Sequence, residues 1–388
     1  MPLMLSKKIL TVALIAFVGG ILFIAAFMAS NALPPQDLTQ YWAAAHLVRL
    51  NPYSLSLVTE LEKSTGVAVI GSPLVLKNPP WAIPFILPLG LLSYRVAFAL
   101  WTVFSVVIVA GCVRAVWQQR ERSESLFSIL LPFLFGPTIV LLMLGQWTVL
   151  VLLGITGFLI MVERRRDWLA GAFLLLVMGK PHVSFLFLVA IVLWTFRSRR
   201  WAIIYSATIS LTAASMAMLV INPHIFTQFL ERTKQVVDET VPYPNFGGML
   251  YTVFGRHALA LLPQAMGMLW LLVYWNRRRR DWDWKTNGLL VLVVSVASSY
   301  YSYPYDEILI LPAMVSAYLA GNKQIFFVGF AAVNLGYGVY LFQIAGSIGF
   351  SYMFLWWTAT GWLLTYCFSV MPQFLSRPRQ GCQELSGG

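Results

Sequence analysis

The chain alternates long apolar runs with short, arginine-rich polar segments. The runs occupy residues 9–29, 97–117, 126–144, 148–162, 169–179, 183–196 and 202–221, then 259–275, 289–300, 308–319, 326–342 and 352–370. About 18 to 20 apolar residues cross a bilayer as a helix, and many of these runs approach that length. The pattern predicts an all-α polytopic protein with about twelve transmembrane helices, built as a single integral membrane domain over residues 1–388. The first run is too long for a signal-peptide core, and no small-residue cleavage site follows it, so it is read as a retained span.

Two places strain the scheme. The arms on either side of Lys180 are short, roughly 16 to 22 Å against a hydrocarbon core of about 30 Å. One long helix over 169–196 fits that thickness better. It also buries Lys180 near the midplane and moves Arg197, Arg199 and Arg200 to the opposite side, so a hairpin turning at Lys180 is the preferred reading. The stretch 79–92 is apolar but short and carries Pro79, Pro80, Pro84 and Pro88. It is read as a re-entrant or surface helix beside the bundle.

Charge then orients the helices. Most of the 27 Lys and Arg residues fall in the short loops between runs: Lys7 and Lys8, Arg114, Arg120 and Arg122, Arg164 to Arg166, Arg197, Arg199 and Arg200, Arg277 to Arg280 with Lys285, Lys323, Arg377 and Arg379. Basic loops stay cytoplasmic. Both termini are then cytoplasmic, in a cell (plasma) membrane, and residues 31–78 and 222–256 become two long external loops. The net charge of +12 is explained by this loop bias and does not point to nucleic acid. Composition agrees, with 59% hydrophobic and 11% charged residues, where a soluble domain carries about 25% charged. Cys112, Cys367 and Cys382 are few and far apart, and His46, His224 and His257 lack ligand spacing. No disulfide framework, metal or cofactor is expected, nor an obligate protein partner.

The same topology gathers the unusual polar residues. Asp37, Gln146, Lys180, His182, Asp306 and Glu307 come from four segments and all fall at the external mouth. Elimination narrows the acids. Glu121, Glu124, Glu163, Asp167, Asp281, Asp283 and Glu384 balance cytoplasmic arginines. Glu60 and Glu62 read as a solvated helix face, as do Glu231, Asp238 and Glu239. Asp37 and the Asp306-Glu307 pair remain, held against span ends among aromatic residues. Apolar surroundings raise a carboxylate toward the range useful to a base.

Several short motifs add to this. Asp37, Tyr41, Ala44-Ala45 and Asn51-Pro52-Tyr53 are followed by Asn78-Pro79-Pro80-Trp81, Pro88 to Leu92, Leu100-Trp101, Gly145-Gln146, Leu169-Ala170-Gly171 and Lys180-Pro181-His182. In their order and spacing they resemble membrane glycosyltransferases of the GT-C superfamily, and within it glycosyltransferase family 87, the polyprenyl-phosphate-mannose-dependent group. Asn78 replaces the family's usual aromatic, and His182 stands where Gln is frequent. Beyond Arg200 only Tyr303-Pro304-Tyr305-Asp306 echoes the family. The resemblance implies a GT-C module over about 9–221, variable helices over about 259–371 and a cytoplasmic tail over 372–388.

It also implies a reaction. A sugar, mannose first and arabinose or another sugar as alternatives, passes with inversion from a polyprenyl-phosphate donor to a hydroxyl of a glycan or glycolipid acceptor. Such chemistry needs a base for the hydroxyl and positive charge for the departing phosphate. On the resemblance, Asp37 is the base. Lys180 and His182 are donor-phosphate ligands; Arg256, near the outer end of a span, is a further phosphate candidate from its position alone. Tyr41, Gln146, Asp306 and Glu307 are sugar or acceptor ligands.

Plainer readings stand beside each role. Asp37 is also a favoured N-cap, Lys180 can snorkel from a helix end, and Gln146 and His182 can satisfy turns. Tyr and Trp at span ends are the ordinary interfacial belt. A transporter or lipid-linked-sugar flippase is the competing function, but it places polar residues along the midplane, and the mid-span positions here are mostly Leu, Val, Ile, Phe and Ala. A third possibility is an envelope-assembly partner that keeps the fold without activity.

Overall fold

A computed structural model of the chain describes residues 18–30, 37–65, 74–119, 126–237, 243–345 and 352–376. Residues 9–17 of the first run, Lys7, Lys8, Arg120, Glu121, Arg122, Glu124, Asp238, Glu239, Arg377, Arg379, Cys382 and Glu384 lie outside this set. The described residues are helical and contain no strand. In chain order the α-helices are α1 (Val18–Ala29), α2 (Leu38–His46), α3 (Leu55–Thr65), α4 (Tyr94–Gln118), α5 (Leu126–Leu134), α6 (Gly136–Leu144), α7 (Thr148–Glu163), α8 (Asp167–Val177) and α9 (Phe185–Ser198). There follow α10 (Ala202–Ile221), α11 (Ile225–Val237), α12 (Phe246–Phe254), α13 (His257–Ala260), α14 (Leu262–Arg278), α15 (Leu289–Ala297), α16 (Leu311–Ala320), α17 (Lys323–Ala345) and α18 (Thr358–Ser376).

By length and composition, four helices are fit to cross a membrane: Tyr94–Gln118, Ala202–Ile221, His257–Arg278 and Lys323–Gln343. Shorter apolar helices account for much of the rest. The run 126–144 is not continuous. It breaks between α5 and α6, and the new helix starts at Gly136 with Pro137 in its first turn, where the missing N–H costs no hydrogen bond. The stretch 79–92 forms two 3₁₀ turns, Pro80–Phe85 and Leu87–Leu91, rather than an α-helix. The expected external loop 31–78 contains α2 and α3. Outward faces of the long helices are apolar, as with Tyr205, Ile209, Met216 and Val220 on α10. A soluble monomer rarely exposes so large an apolar surface.

Internal contacts divide the chain into two compact units. The first comprises residues 1–115, 132–181 and 192–241. Its centre is α7, which is buried along nearly its whole length. Glycines let α8 approach its neighbours closely. A methyl group at Gly154 would come 2.8 Å from the Phe173 carbonyl oxygen, and one at Gly157 would strike the Phe173 ring. Gly171 lies just as tightly under the Ile203 carbonyl of α10. Small residues at crossings are how helices gain contact where lipid supplies no hydrophobic drive.

The ends of this unit are distinct. At one end Arg200 grips Asp167 with a charged hydrogen-bonded pair and donates to the Val162 carbonyl at 3.0 Å. The start of α8 and the residue just past α9 therefore meet, so the chain turns back between them, at Lys180. Helix α7 stops here in a Schellman motif, with Arg166 N donating to Met161 O at 2.9 Å and Arg165 N to Val162 O at 3.2 Å. Arg165 takes the left-handed conformation, φ 55°, that glycine usually supplies there. At the other end, Asn222 after α10 donates to the carbonyls of Val48 and Leu50 at 3.0 and 3.1 Å. Phe229 packs on Tyr53, and Phe226 on Trp81.

The second unit comprises residues 116–131, 182–191 and 242–388. Helix α15 is its buried core element. Ser295 Oγ donates to the Val183 carbonyl at 3.0 Å and accepts from Leu186 N at 3.1 Å. Asn245 caps α12 through Gly248 N at 2.8 Å, and its amide also holds the Ser299 and Tyr300 carbonyls.

Candidate active site

Four of the candidate residues converge in the first unit. Asp37 precedes α2 at its N-cap position, yet its side chain makes no capping hydrogen bond. The carboxylate instead accepts from Gln146 Nε2 through Oδ2. The other end of the Gln146 amide is equally engaged. Its Oε1 accepts from the Tyr41 hydroxyl at 3.0 Å and from Lys180 Nζ at 3.2 Å. Lys180 Nζ also donates to Thr148 Oγ1 at 2.9 Å. One amide, only 1% exposed, thus sits between an anion and a cation from separate segments.

Local structure explains the placement. Tyr41 lies one turn after Asp37 on α2, so both face the same neighbour. Gly145 ends α6 at φ +66°, and a methyl group there would come 2.8 Å from Leu38 Cβ. Glycine is needed on both counts, and its turn aims Gln146 at Asp37. The Lys180 turn is held by its backbone. Asn78 Nδ2 donates to the Gly179 carbonyl at 3.0 Å and Trp81 Nε1 to the Met178 carbonyl at 2.9 Å. Tyr53 in turn donates to the Asn78 carbonyl at 2.9 Å. Asn78 and Trp81 therefore brace the Lys180 turn together.

Gln146 contributes one donor and one acceptor to three partners, all inside the unit. Gln146→Leu should lower stability by about 1–3 kcal/mol, since buried polar groups lose their partner. Thermal unfolding of detergent-purified protein measures this, and an unchanged midpoint would deny Gln146 its central place.

The other candidates lie in the second unit. Asp306 and Glu307 fall in the 3₁₀ turn Pro304–Ile310, and both are buried. Asp306 Oδ2 accepts from Tyr303 N at 3.1 Å. Glu307 Oε2 accepts from the Tyr337 hydroxyl at 2.7 Å, and its Oε1 from Thr358 Oγ1 at 2.6 Å. Both acids are engaged with protein groups, and Glu307 ties this turn to α17 and α18. His182 packs edge-on against Tyr301 at 4.9 Å, while its carbonyl accepts from Ser299 Oγ at 3.1 Å. Tyr301 in turn meets Tyr243 and Tyr303. Arg256 is exposed, at the start of α13. Among the described residues no group of three or more His, Cys, Asp or Glu is arranged to hold a metal.

One expectation is corrected. Glu60 is exposed as a solvated face requires, but Glu62 is only 2% exposed. It follows Val58 by four residues and shares its buried face on α3. Neither carboxylate oxygen has a hydrogen-bond partner. Burial pushes the Glu62 carboxyl up to about 7. The helical period carried the signal, since positions 58 and 62 lie on one side.

A search of curated proteins and a search of solved structures each return no match to the chain. A family comparison does. The model for glycosyltransferase family 87 matches residues 77–299, a stretch that contains Gln146, Lys180, His182 and Arg256 but begins after Asp37 and Tyr41. The match spans more than half of the chain, and with the apolar helices of a membrane protein already in place, this chain belongs to glycosyltransferase family 87.

Proposed function

We propose that this glycosyltransferase takes its sugar, mannose first among the possibilities, from a polyprenyl-phosphate donor. The sugar passes to an acceptor hydroxyl with inversion at the anomeric carbon. The donor's lipid tail stays in the bilayer, which accounts for a site at the end of a helical bundle. Asp37 removes the proton of the acceptor hydroxyl as that oxygen attacks. Lys180 neutralises the phosphate as the bond to the sugar breaks. Tyr41 and Gln146 position these two groups. The observation that supports the reading best is the shared amide: Gln146 donates toward Asp37 and accepts from Lys180. A carboxylate can only accept and an ammonium only donate, so the two ends of the amide match the two groups it lies between. A base and a phosphate cation need those opposite roles.

The assay is transfer by purified protein in lipid nanodiscs from a panel of polyprenyl-phosphate sugars. Transfer from none of them, with folded protein, overturns the reading. Movement of the lipid-linked sugar across the bilayer without transfer would favour the flippase instead.

The proposal places the site on the external face of the cell membrane, with both termini cytoplasmic. Single cysteines at Ser56 and Gln235 should then react with an impermeant thiol reagent in intact cells, while cysteines at Arg165, Arg199 and Arg279 should not. Labelling at position 199 from outside would reverse the assignment.

A further inference from the structure

Glu62 is a buried carboxylate that no fold requirement explains. Its neighbour in the helical period, Val58, is the kind of residue a packing face uses. Burying an acid without a partner costs stability, and such costs concentrate at functional sites. Helix α3 packs on α2, the helix that Asp37 opens. The two acids also share a neighbour. The Tyr94 phenol lies within electrostatic reach of both Asp37 and Glu62, and Thr39 Oγ1, two residues after Asp37, sits 3.4 Å from its oxygen.

We propose that Glu62 is an acceptor-binding residue, whose two oxygens receive hydroxyls of the incoming carbohydrate beside Asp37. This rests on the transferase reading above. Both oxygens can only accept hydrogen bonds when ionised, and a carbohydrate offers adjacent hydroxyl donors at the spacing a carboxylate spans. The acceptor is favoured over the donor on charge. A second anion repels a lipid phosphate, so Glu62 does not belong with Lys180. The acceptor is the substrate that Asp37 must touch, and Glu62 is tied to Asp37 through Tyr94 and Thr39.

The test uses octyl α-mannoside as acceptor probe and the full-length protein in nanodiscs. Glu62→Gln should raise the KM for octyl mannoside about tenfold, leaving the KM for polyprenyl-phosphate mannose within twofold. Probes lacking one hydroxyl should bind wild type more weakly than octyl mannoside does. At least one of them should lose little of its binding to Glu62→Gln. An unchanged acceptor KM, or a donor KM that rises instead, overturns the proposal.

Direct binding of octyl mannoside, read as a thermal shift, decides the matter even if no transfer occurs. A shift in wild type that is lost in Glu62→Gln supports the role, and equal shifts, or none in wild type, refute it. Failure of the transferase reading therefore shows in the transfer assay and failure of this one in the binding assay. Removing the acid should also stabilise the protein. Glu62→Leu should unfold about 2–4 °C higher at pH 8. A lower midpoint would make Glu62 a structural residue.

Discussion

Asp37→Asn should reduce turnover by roughly 10²-fold or more, the usual scale for a lost general base, while the protein inserts and folds normally. The substitution is clean for a structural reason. Asp37 makes no capping hydrogen bond to α2, so no cap is lost. An asparagine oxygen still accepts from Gln146 Nε2, so the amide keeps its orientation. What disappears is the negative charge and, with it, the capacity to take a proton. Initial rates of sugar transfer, normalised to folded protein, give the result. Activity within a few-fold of wild type would remove Asp37 from the chemistry.

Lys180→Met should have the second large effect. The methionine keeps most of the stem but deletes the ammonium that faces Gln146 and Thr148. Donor KM should rise and transfer fall by about 10²-fold, as when a group that stabilises transition-state charge is lost. Added divalent cations should rescue neither. Lys180→Arg should recover only part, because a planar fork cannot reproduce a compact ammonium set between an amide oxygen and a hydroxyl. If the lysine merely anchors a helix end, arginine would substitute fully. Methionine would then cost yield while leaving activity per folded molecule unchanged.

Much of the first unit is legible in the sequence. Hydropathy locates α4 and α10 to within a few residues, and the arginine runs mark the helix ends at Arg164–Arg166 and Arg197–Arg200. The convergence of Asp37, Gln146 and Lys180 follows once alternate turns are put on one side. What hydropathy misses is interruption. Pro137 reads as one more residue in an apolar run, yet it starts a new helix. The partners of Glu307 were equally invisible, because Tyr337 and Thr358 come from helices 30 and 51 residues further on. Glu62 is hidden for another reason. Its charge groups it with the polar residues around it, but its position four residues after Val58 decides its side of the helix.

The brevity of α8 bears on the lipid as much as on the protein. Eleven residues rise about 16 Å, and the turn to Lys180 adds only a little. On the proposed topology, which sets the Arg164–Asp167 end at one headgroup plane, the Lys180 ammonium falls well short of the opposite plane of a bilayer whose hydrocarbon is about 30 Å thick. The membrane must therefore dimple over this turn, or the lipid must sink to meet it. A thinner bilayer closes that gap at little cost, since mismatch is worth only fractions of a kcal/mol per Å. On the proposed role of Lys180 as the donor-phosphate cation, acyl-chain length in the surrounding membrane then controls how readily the donor reaches the lysine.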